Sequence, residues 1–291
     1  MARTREIKRR IGAVWTIRRI TKTMQMVATA KFTTAVLRDK ASAPYTFKIN
    51  RLVAEALSAS SDFSHPLMAS PAESPKRERM LVISSTRGLC GAYNAGVLRA
   101  AWNAIGRIQA DGRALEVETA GKKAVGFLRF HRISISRRHL FGDKPAYDDI
   151  ERLAQRYIDD FTSGQLDSVL VAFMRFESTA RQVPEVIKLL PLEPAASEVS
   201  ETDRARALYD FSPSTDAILT DLLPLAVKTA LFQAFLDAVV SEQVMRMVAM
   251  RAATENASEL HKTLTRRFNR ARQTQITTEL MEVISGAAAL N

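Results

Sequence analysis

The chain has 291 residues, 46% of them hydrophobic and 25% charged, which is ordinary for a water-soluble protein. Its single cysteine, Cys90, excludes an internal disulfide and fits a reducing compartment. No stretch approaches the roughly 20 uncharged apolar residues of a membrane span, and the basic first residues have no apolar core behind them, which excludes a secretory signal.

The net charge of +11 lies at the two ends of the chain. Residues 1–40 carry a net charge of +9 and residues 246–272 a net charge of +5, so the remainder is slightly acidic. We therefore expect both ends to meet an acidic surface, such as a protein, a nucleic acid or an anionic lipid.

Residues 1–60 are predicted to form an N-terminal coiled-coil helix, with a kink or break near Pro44. Apolar residues recur there at steps of three and four, the spacing of a coiled-coil seam. This predicted stripe consists of Ile7, Ile11, Val14, Ile17, Ile20, Met24 and Val27. Residues 61–77, which are rich in serine and proline, are predicted to be a linker.

Residues 78–192 alternate strand-like and helix-like segments, which predicts a Rossmann-like α/β domain with a mainly parallel sheet. The predicted strands cover residues 80–85, 115–119, 132–136 and 168–176, with 183–190 as a hairpin partner. The predicted helices cover residues 92–110, 122–130 and 147–161.

An acidic loop is predicted at 193–211 and a long coiled-coil helix at 212–291, with Ser212 or Ser214 as its cap. Residues 225–285 contain neither glycine nor proline, so they can form one unbroken helix about 90 Å long. The α/β domain joins the end of one long helix to the start of the other. The two helices are therefore predicted to pair as an antiparallel coiled coil, with the tip of the longer one projecting.

No enzyme site is predicted. The turn from Ser84 to Gly91 lacks the glycine spacing of phosphate-binding loops, and Cys90 fits a packed thiol better than a nucleophile. The four histidines lack metal-ligand spacing. Pattern alone leads to a basic coiled coil with an acidic protein partner. A nucleic-acid-binding coiled coil is the alternative, although the first helix offers little beyond Trp15 for stacking on bases.

Four segments give the chain a resemblance to the gamma subunit of F-type ATP synthase. They are Ile17–Lys31, Ser84–Asn94, Ser241–Asn256 and Ala271–Leu290. The resemblance spans the whole length, in the order of that family. It implies a non-catalytic rotor shaft without cofactor or metal, which couples proton or sodium flow to ATP synthesis. The location implied is peripheral, at the cytoplasmic face of a bacterial plasma membrane.

The partners implied by the resemblance are three alpha and three beta subunits around the coiled coil, the epsilon subunit, and the ring of c subunits. No nucleic acid is implied. The matching positions facing the alpha/beta ring are Lys22, Met24, Arg246, Arg272, Gln273 and Thr277. The segment 208–213 resembles the part of the family that meets the c ring, which makes Tyr209 and Asp210 the contact residues there.

The chain departs from the family pattern at two places. Thr86 stands where the family usually has aspartate, so any interaction of that carboxylate is absent. The cysteine pair inserted in the plant chloroplast form is also missing, and we expect no redox switch of that kind.

Overall fold

The computed structural model describes residues 2–59, 65–68, 76–192 and 215–288. The predicted loop 193–211, the capping serines, Tyr209 and Asp210 lie outside the described residues. The helices are α1 (Ala2–Ala59), α2 (Tyr93–Ala110), α3 (Lys122–Phe130), α4 (Tyr147–Thr162) and α5 (Thr215–Ala288). The strands are β1 (Arg77–Ile83), β2 (Ala114–Ala120), β3 (Ile135–His139), β4 (Ser168–Phe176) and β5 (Gln182–Leu190). A short 3₁₀ helix covers Pro66–Met68.

The chain forms two compact units whose boundary falls inside both long helices. Residues Lys31–Met245 form one, called the sheet unit below. Met1–Ala30 and Arg246–Asn291 form the other, called the coiled-coil unit. The predicted boundaries follow the ends of the predicted helices, whereas the two units are separated by packing. The predicted boundaries near residues 60 and 212 therefore differ from these.

The sheet unit contains one five-stranded sheet in the order β3-β2-β1-β4-β5. The first four strands are parallel and β5 runs antiparallel to β4, which confirms the mainly parallel sheet with a terminal hairpin. Alternate residues of β1 enter separate cores. Met80 and Val82 pack with α2 and α3, whereas Leu81 and Ile83 pack with α4 and part of α5. Helices thus cover both faces, as buried parallel strands require.

The predicted third strand, 132–136, is wrong by three residues. Helix α3 ends in a turn in which Arg132 takes a φ of 58° and the Ile133 N–H donates to the Leu128 carbonyl at 2.9 Å. This turn uses the residues assigned to the start of the strand. Strand β3 consequently begins at Ile135, opposite Val117.

Both long helices run through their prolines. Helix α1 is continuous across Pro44, so the predicted break is wrong, and a kink there stays a prediction. Helix α5 contains the whole run 225–285, which confirms one unbroken helix. Among the described helices only α5 has an 18-residue stretch apolar enough to cross a membrane, and 56% of that stretch is buried inside the protein, as in a core helix.

The two helices of the coiled-coil unit are antiparallel, as predicted. The Thr4 hydroxyl donates to Gln275 Oε1 at 3.0 Å, and the Thr254 hydroxyl donates to Thr21 Oγ1 at 2.9 Å. Partners on α5 therefore move back along the chain as positions on α1 advance. Val14 lies between these two contacts and packs in one cluster with Ala257 and Leu264.

Candidate partner-binding surface

A seven-residue repeat places one side of each helix in the seam of the coiled-coil unit. On α1 this side consists of Ile7, Val14, Thr21 and Ala28. On α5 it consists of Met250, Ala257, Leu264 and Ala271. Residues seven apart return to the same side of a paired helix. Several seam residues are small or polar, so the seam buries little large apolar surface.

This repeat corrects the predicted stripe on α1 beyond Val14. Ile17, Ile20 and Val27 are 52%, 54% and 49% exposed, whereas Thr21 and Ala28 are 9% and 1% exposed. Packing follows the repeat set by Ile7 and Val14, even where this leaves larger apolar side chains in solvent. The predicted stripe placed these larger side chains in the seam because they are more hydrophobic than Thr21 and Ala28.

The outward side of the coiled-coil unit therefore carries many exposed apolar side chains. On α1 these are Trp15, Ile17, Ile20, Met26 and Val27. On α5 they are Val248, Leu260, Ile276, Leu280, Met281, Val283 and Ile284. Large exposed apolar surface of this kind marks an interaction site.

Positive charge is interleaved with these apolar residues. Residues 1–30 and 246–291 together carry a net charge of +10, nearly all of the excess of the chain. The Arg19 guanidinium lies 4.7 Å from the centre of the Trp15 ring, so cation and aromatic ring form one surface. The arrangement suits a partner that is acidic and also offers apolar contacts.

The last part of α5 is exposed along its entire length. Every residue from 276 to 288 is exposed, beyond the hydrogen bond that joins Gln275 to Thr4 of α1. Ile276, Leu280 and Ile284 recur at steps of four and face solvent there. A single helix with an apolar side of this kind gains burial only from a partner.

The predicted contact residues differ in how much of each side chain is accessible. Lys22, Arg272, Gln273 and Thr277 are exposed, and Met24 is half-buried. Arg246 is only 9% exposed, which leaves little of its side chain for a partner. The Thr277 hydroxyl donates to the Gln273 carbonyl at 3.0 Å, the ordinary arrangement within a helix.

The turn Ser84–Gly91 is held by hydrogen bonds to residues of α2 and α3. Asn94 Oδ1 accepts from the Ser85 N–H at 3.1 Å, and the Ser84 hydroxyl accepts from the Ala124 N–H at 2.9 Å. Gly121 has a φ of 97°, and an added Cβ would lie 2.0 Å from the Ser84 carbonyl oxygen, so glycine is required there. Cys90 is 2% exposed in the core between sheet and α2.

A buried carboxylate, Glu118 on β2, organises the ion pairs of the sheet unit. Its side chain is 1% exposed and lies 2.6 Å from an Arg156 nitrogen and 2.7 Å from His139 Nε2, and it accepts from the Tyr157 hydroxyl at 2.9 Å. Burial alone would raise the pKa of Glu118, but these hydrogen bonds and the charge of Arg156 lower it to about 2.

A second buried carboxyl, Asp237 on α5, has the opposite environment. Burial and the nearby carboxylate of Asp39 raise its pKa to about 7, against the weaker opposing effects of Gln233 and Arg175. Gln233 Nε2 bridges the two carboxyls, donating to Asp39 at 2.7 Å and to Asp237 at 3.2 Å. Within the described residues, no group of three or more His, Cys, Asp and Glu side chains is arranged to hold a metal ion.

A family profile and several known sequences match the chain over nearly its full length. A family profile described as ATP synthase matches residues 3–290. The ATP synthase gamma chain of Rhodopirellula baltica is 40% identical over 295 aligned residues, covering 100% of this chain and 99% of the relative. That of Kineococcus radiotolerans is 37% identical, covering 98% and 96%.

Solved structures share the fold at lower identity. A chain from the Euglena gracilis mitochondrial ATP synthase, described as OSCP/F1/c-ring in rotational state 3, aligns with a TM-score of 0.67 at 18% identity. The alignment covers 99% of this chain and 95% of that one. A chain from the Tetrahymena thermophila central stalk and c-ring aligns with a TM-score of 0.57 at 19% identity, covering 80% and 99%. The sequence matches and the shared fold together show that this chain belongs to the ATP synthase gamma chain family.

Proposed function

We propose that this chain is the central-stalk rotor of an ATP synthase. Its coiled-coil unit turns inside a ring of three alpha and three beta subunits, while its sheet unit meets the epsilon subunit and the c ring. The observation that carries the proposal is the outward side of the coiled-coil unit, which combines exposed apolar residues with a net charge of +10. Family membership supports the same role.

Rotation acts on the ring by differential contact. A shaft with different sides presents a different surface to each beta subunit, and each surface favours one conformation of the nucleotide site. Two features make the shaft unequal: apolar residues project on one stretch of α1, and α5 continues alone from residue 276. Proton or sodium flow through the c ring supplies the rotation, and ATP synthesis takes place at the beta subunits.

We assign the ring contacts to the exposed residues Lys22, Arg272, Gln273 and Thr277, with Met24 at the edge of the seam. Arg246 is nearly buried, so we assign it to positioning this part of α5 rather than to a broad contact. Tyr209 and Asp210 remain proposed c-ring contacts. We assign catalysis to the other subunits and not to this chain, and we place the chain at the cytoplasmic face of a bacterial plasma membrane through its complex.

Charge reversal at Arg272 tests the rotor role. Arg272→Glu replaces an exposed cation of the coiled-coil unit, whereas Arg107→Glu replaces an exposed cation on α2 of the sheet unit and serves as the control. We expect Arg272→Glu to lower ATP-driven proton pumping in the reconstituted complex at least about tenfold more than the control, because repulsion replaces attraction to the acidic surface that we expect on the ring.

Equal losses of pumping in the two variants would contradict a ring contact at Arg272. ATP hydrolysis by the isolated chain, at a rate that added beta subunits do not change, would contradict the rotor role itself. The nucleic-acid-binding alternative is unsupported, because the sequence matches are to ATP synthase gamma chains.

A further inference from the structure

Helices α2 and α3 present an exposed aromatic cluster on one face of the sheet unit. Trp102 is 38% exposed and Phe130 is 83% exposed. The ring centre of His131 lies 4.4 Å from that of Trp102, 4.2 Å from that of Phe127 and 5.2 Å from that of Phe130. The four rings therefore form one patch that bridges the two helices, remote in sequence from the contact residues assigned above.

The charged residues of the two helices that carry this patch are all cationic. Neither α2 nor α3 contains an acidic residue, and the sequence from 119 to 142 has none either. Exposed cations on these two helices and in the turn after α3 include Arg99, Lys122, Lys123, Arg129 and Arg132. None of these five has an ion-pair partner among the residues that the structure describes. Elsewhere in the sheet unit, by contrast, Arg79, Arg113 and Arg156 pair with carboxylates.

Each helix also has an interior glycine on the same side as the patch. Gly106 lies four residues after Trp102, and Gly126 lies four residues before Phe130, so each pair shares a helix face. A Cβ added at either glycine would meet no atom within 4 Å. Glycine lowers helix stability, the residues that the structure describes give no packing reason for it here, and it lets another backbone approach closely.

We propose that this face, called the α2/α3 patch, docks an acidic amphipathic helix of a protein partner. The apolar side of that helix covers Trp102 and Phe130, its carboxylates pair with the surrounding cations, and its backbone passes over the two glycines. Aromatic anchors surrounded by charged residues are typical of such docking sites. The proposal rests on the α2/α3 patch alone and does not depend on the rotor role.

The test uses Trp102 as a local reporter in the full chain. Trp15→Phe removes the only other tryptophan, so emission reports on the patch even if acidic ligands also bind the basic ends. The probe is a helical peptide with an apolar stripe flanked by glutamates. We expect a saturable blue shift of Trp102 emission, about tenfold weaker binding or worse in Lys123→Glu/Arg129→Glu, and a change within about twofold in the control Lys40→Glu/Lys48→Glu.

Three other probes give the outcomes that would contradict the proposal. The same peptide with every glutamate replaced by glutamine, vesicles rich in phosphatidylglycerol, and single-stranded DNA are titrated in the same way. Equal binding of the glutamine peptide would overturn the role of charge. A Trp102 response to vesicles or DNA but not to the acidic peptide would replace the protein partner by a lipid or a nucleic acid.

The glycines provide a second, independent readout. Gly106→Ala/Gly126→Ala adds two Cβ atoms in open space on helices, so we expect the melting temperature of the free chain to rise. Affinity for the acidic peptide falls if a backbone passes over these positions. A rise in melting temperature with unchanged affinity would overturn the docking geometry.

Discussion

Asp237 is a residue that weakens the folded state near neutral pH. Its carboxyl has a pKa of about 7 in the fold and an ordinary value near 3.8 when exposed. The folded chain therefore holds a proton that the unfolded chain releases, so the free energy of unfolding falls as pH rises from about 4 to about 7. Above about pH 7 the Asp237 carboxylate is ionised beside Asp39, and its destabilising effect is complete.

Asp237→Asn removes this dependence while keeping the shape of the side chain. We expect the free energy of unfolding of the variant to exceed that of the wild type by about 2–4 kcal/mol at pH 8, and to differ little from it at pH 4. Urea unfolding at the two pH values measures this. Asp221→Asn, at an exposed position of the same helix, is the control. A gain of the same size at both pH values would contradict the raised pKa.

Glu118 shows the reverse dependence. Its pKa of about 2 lies below the ordinary value of 4.5, so its stabilising contribution is complete above pH 4.5 and is lost as pH falls toward 2. We expect Glu118→Gln to lower the free energy of unfolding by about 3 kcal/mol at pH 7, because Arg156 loses its countercharge. The difference from the wild type narrows at pH 3, and a constant difference would contradict this account.

The burial of two leucines on α5 distinguishes the seam of the coiled-coil unit from its exposed surface. Leu264 is 8% exposed in the cluster with Val14, whereas Leu260, one turn earlier, is 49% exposed. We expect Leu264→Ala to lower the free energy of unfolding of the coiled-coil unit by about 2–3 kcal/mol and Leu260→Ala by less than about 0.5 kcal/mol. Thermal unfolding followed by circular dichroism measures both. Similar losses would mean that the repeat is misassigned.

The elements were predictable where one local signal dominates. Helix α3 and strand β4 have the predicted bounds, because the helix has one apolar face and the strand is a nearly continuous apolar run. Seam positions were harder to predict, because Thr21 and Ala28 are buried only through the repeat and not through their own hydrophobicity. Glu118 gave no sequence signal either, since a charged residue in a strand is usually exposed.

At the scale of the whole molecule, the end of α5 is separable from the fold. Residues 276–288 are exposed throughout, so we expect a chain that ends at Gln275 to keep the melting temperature of the full chain within about 1 °C. We expect the same chain to be retained less well by an alpha/beta ring in a pull-down, because Leu280 and Ile284 are lost. A clear fall in melting temperature would contradict the assignment of this segment to partner binding.

The contact between Thr4 and Gln275 also sets an order of events during synthesis. The sheet unit is contiguous from Lys31 to Met245, so all of its strands have left the ribosome before residue 246 is made. The coiled-coil unit instead joins residues that lie 271 positions apart, and it closes only after Gln275 has been made. Until then residues 1–30, with their exposed isoleucines and arginines, have no helix to pair with. During that time only other cellular components, and not the fold of this chain, can shield the segment from non-native contacts.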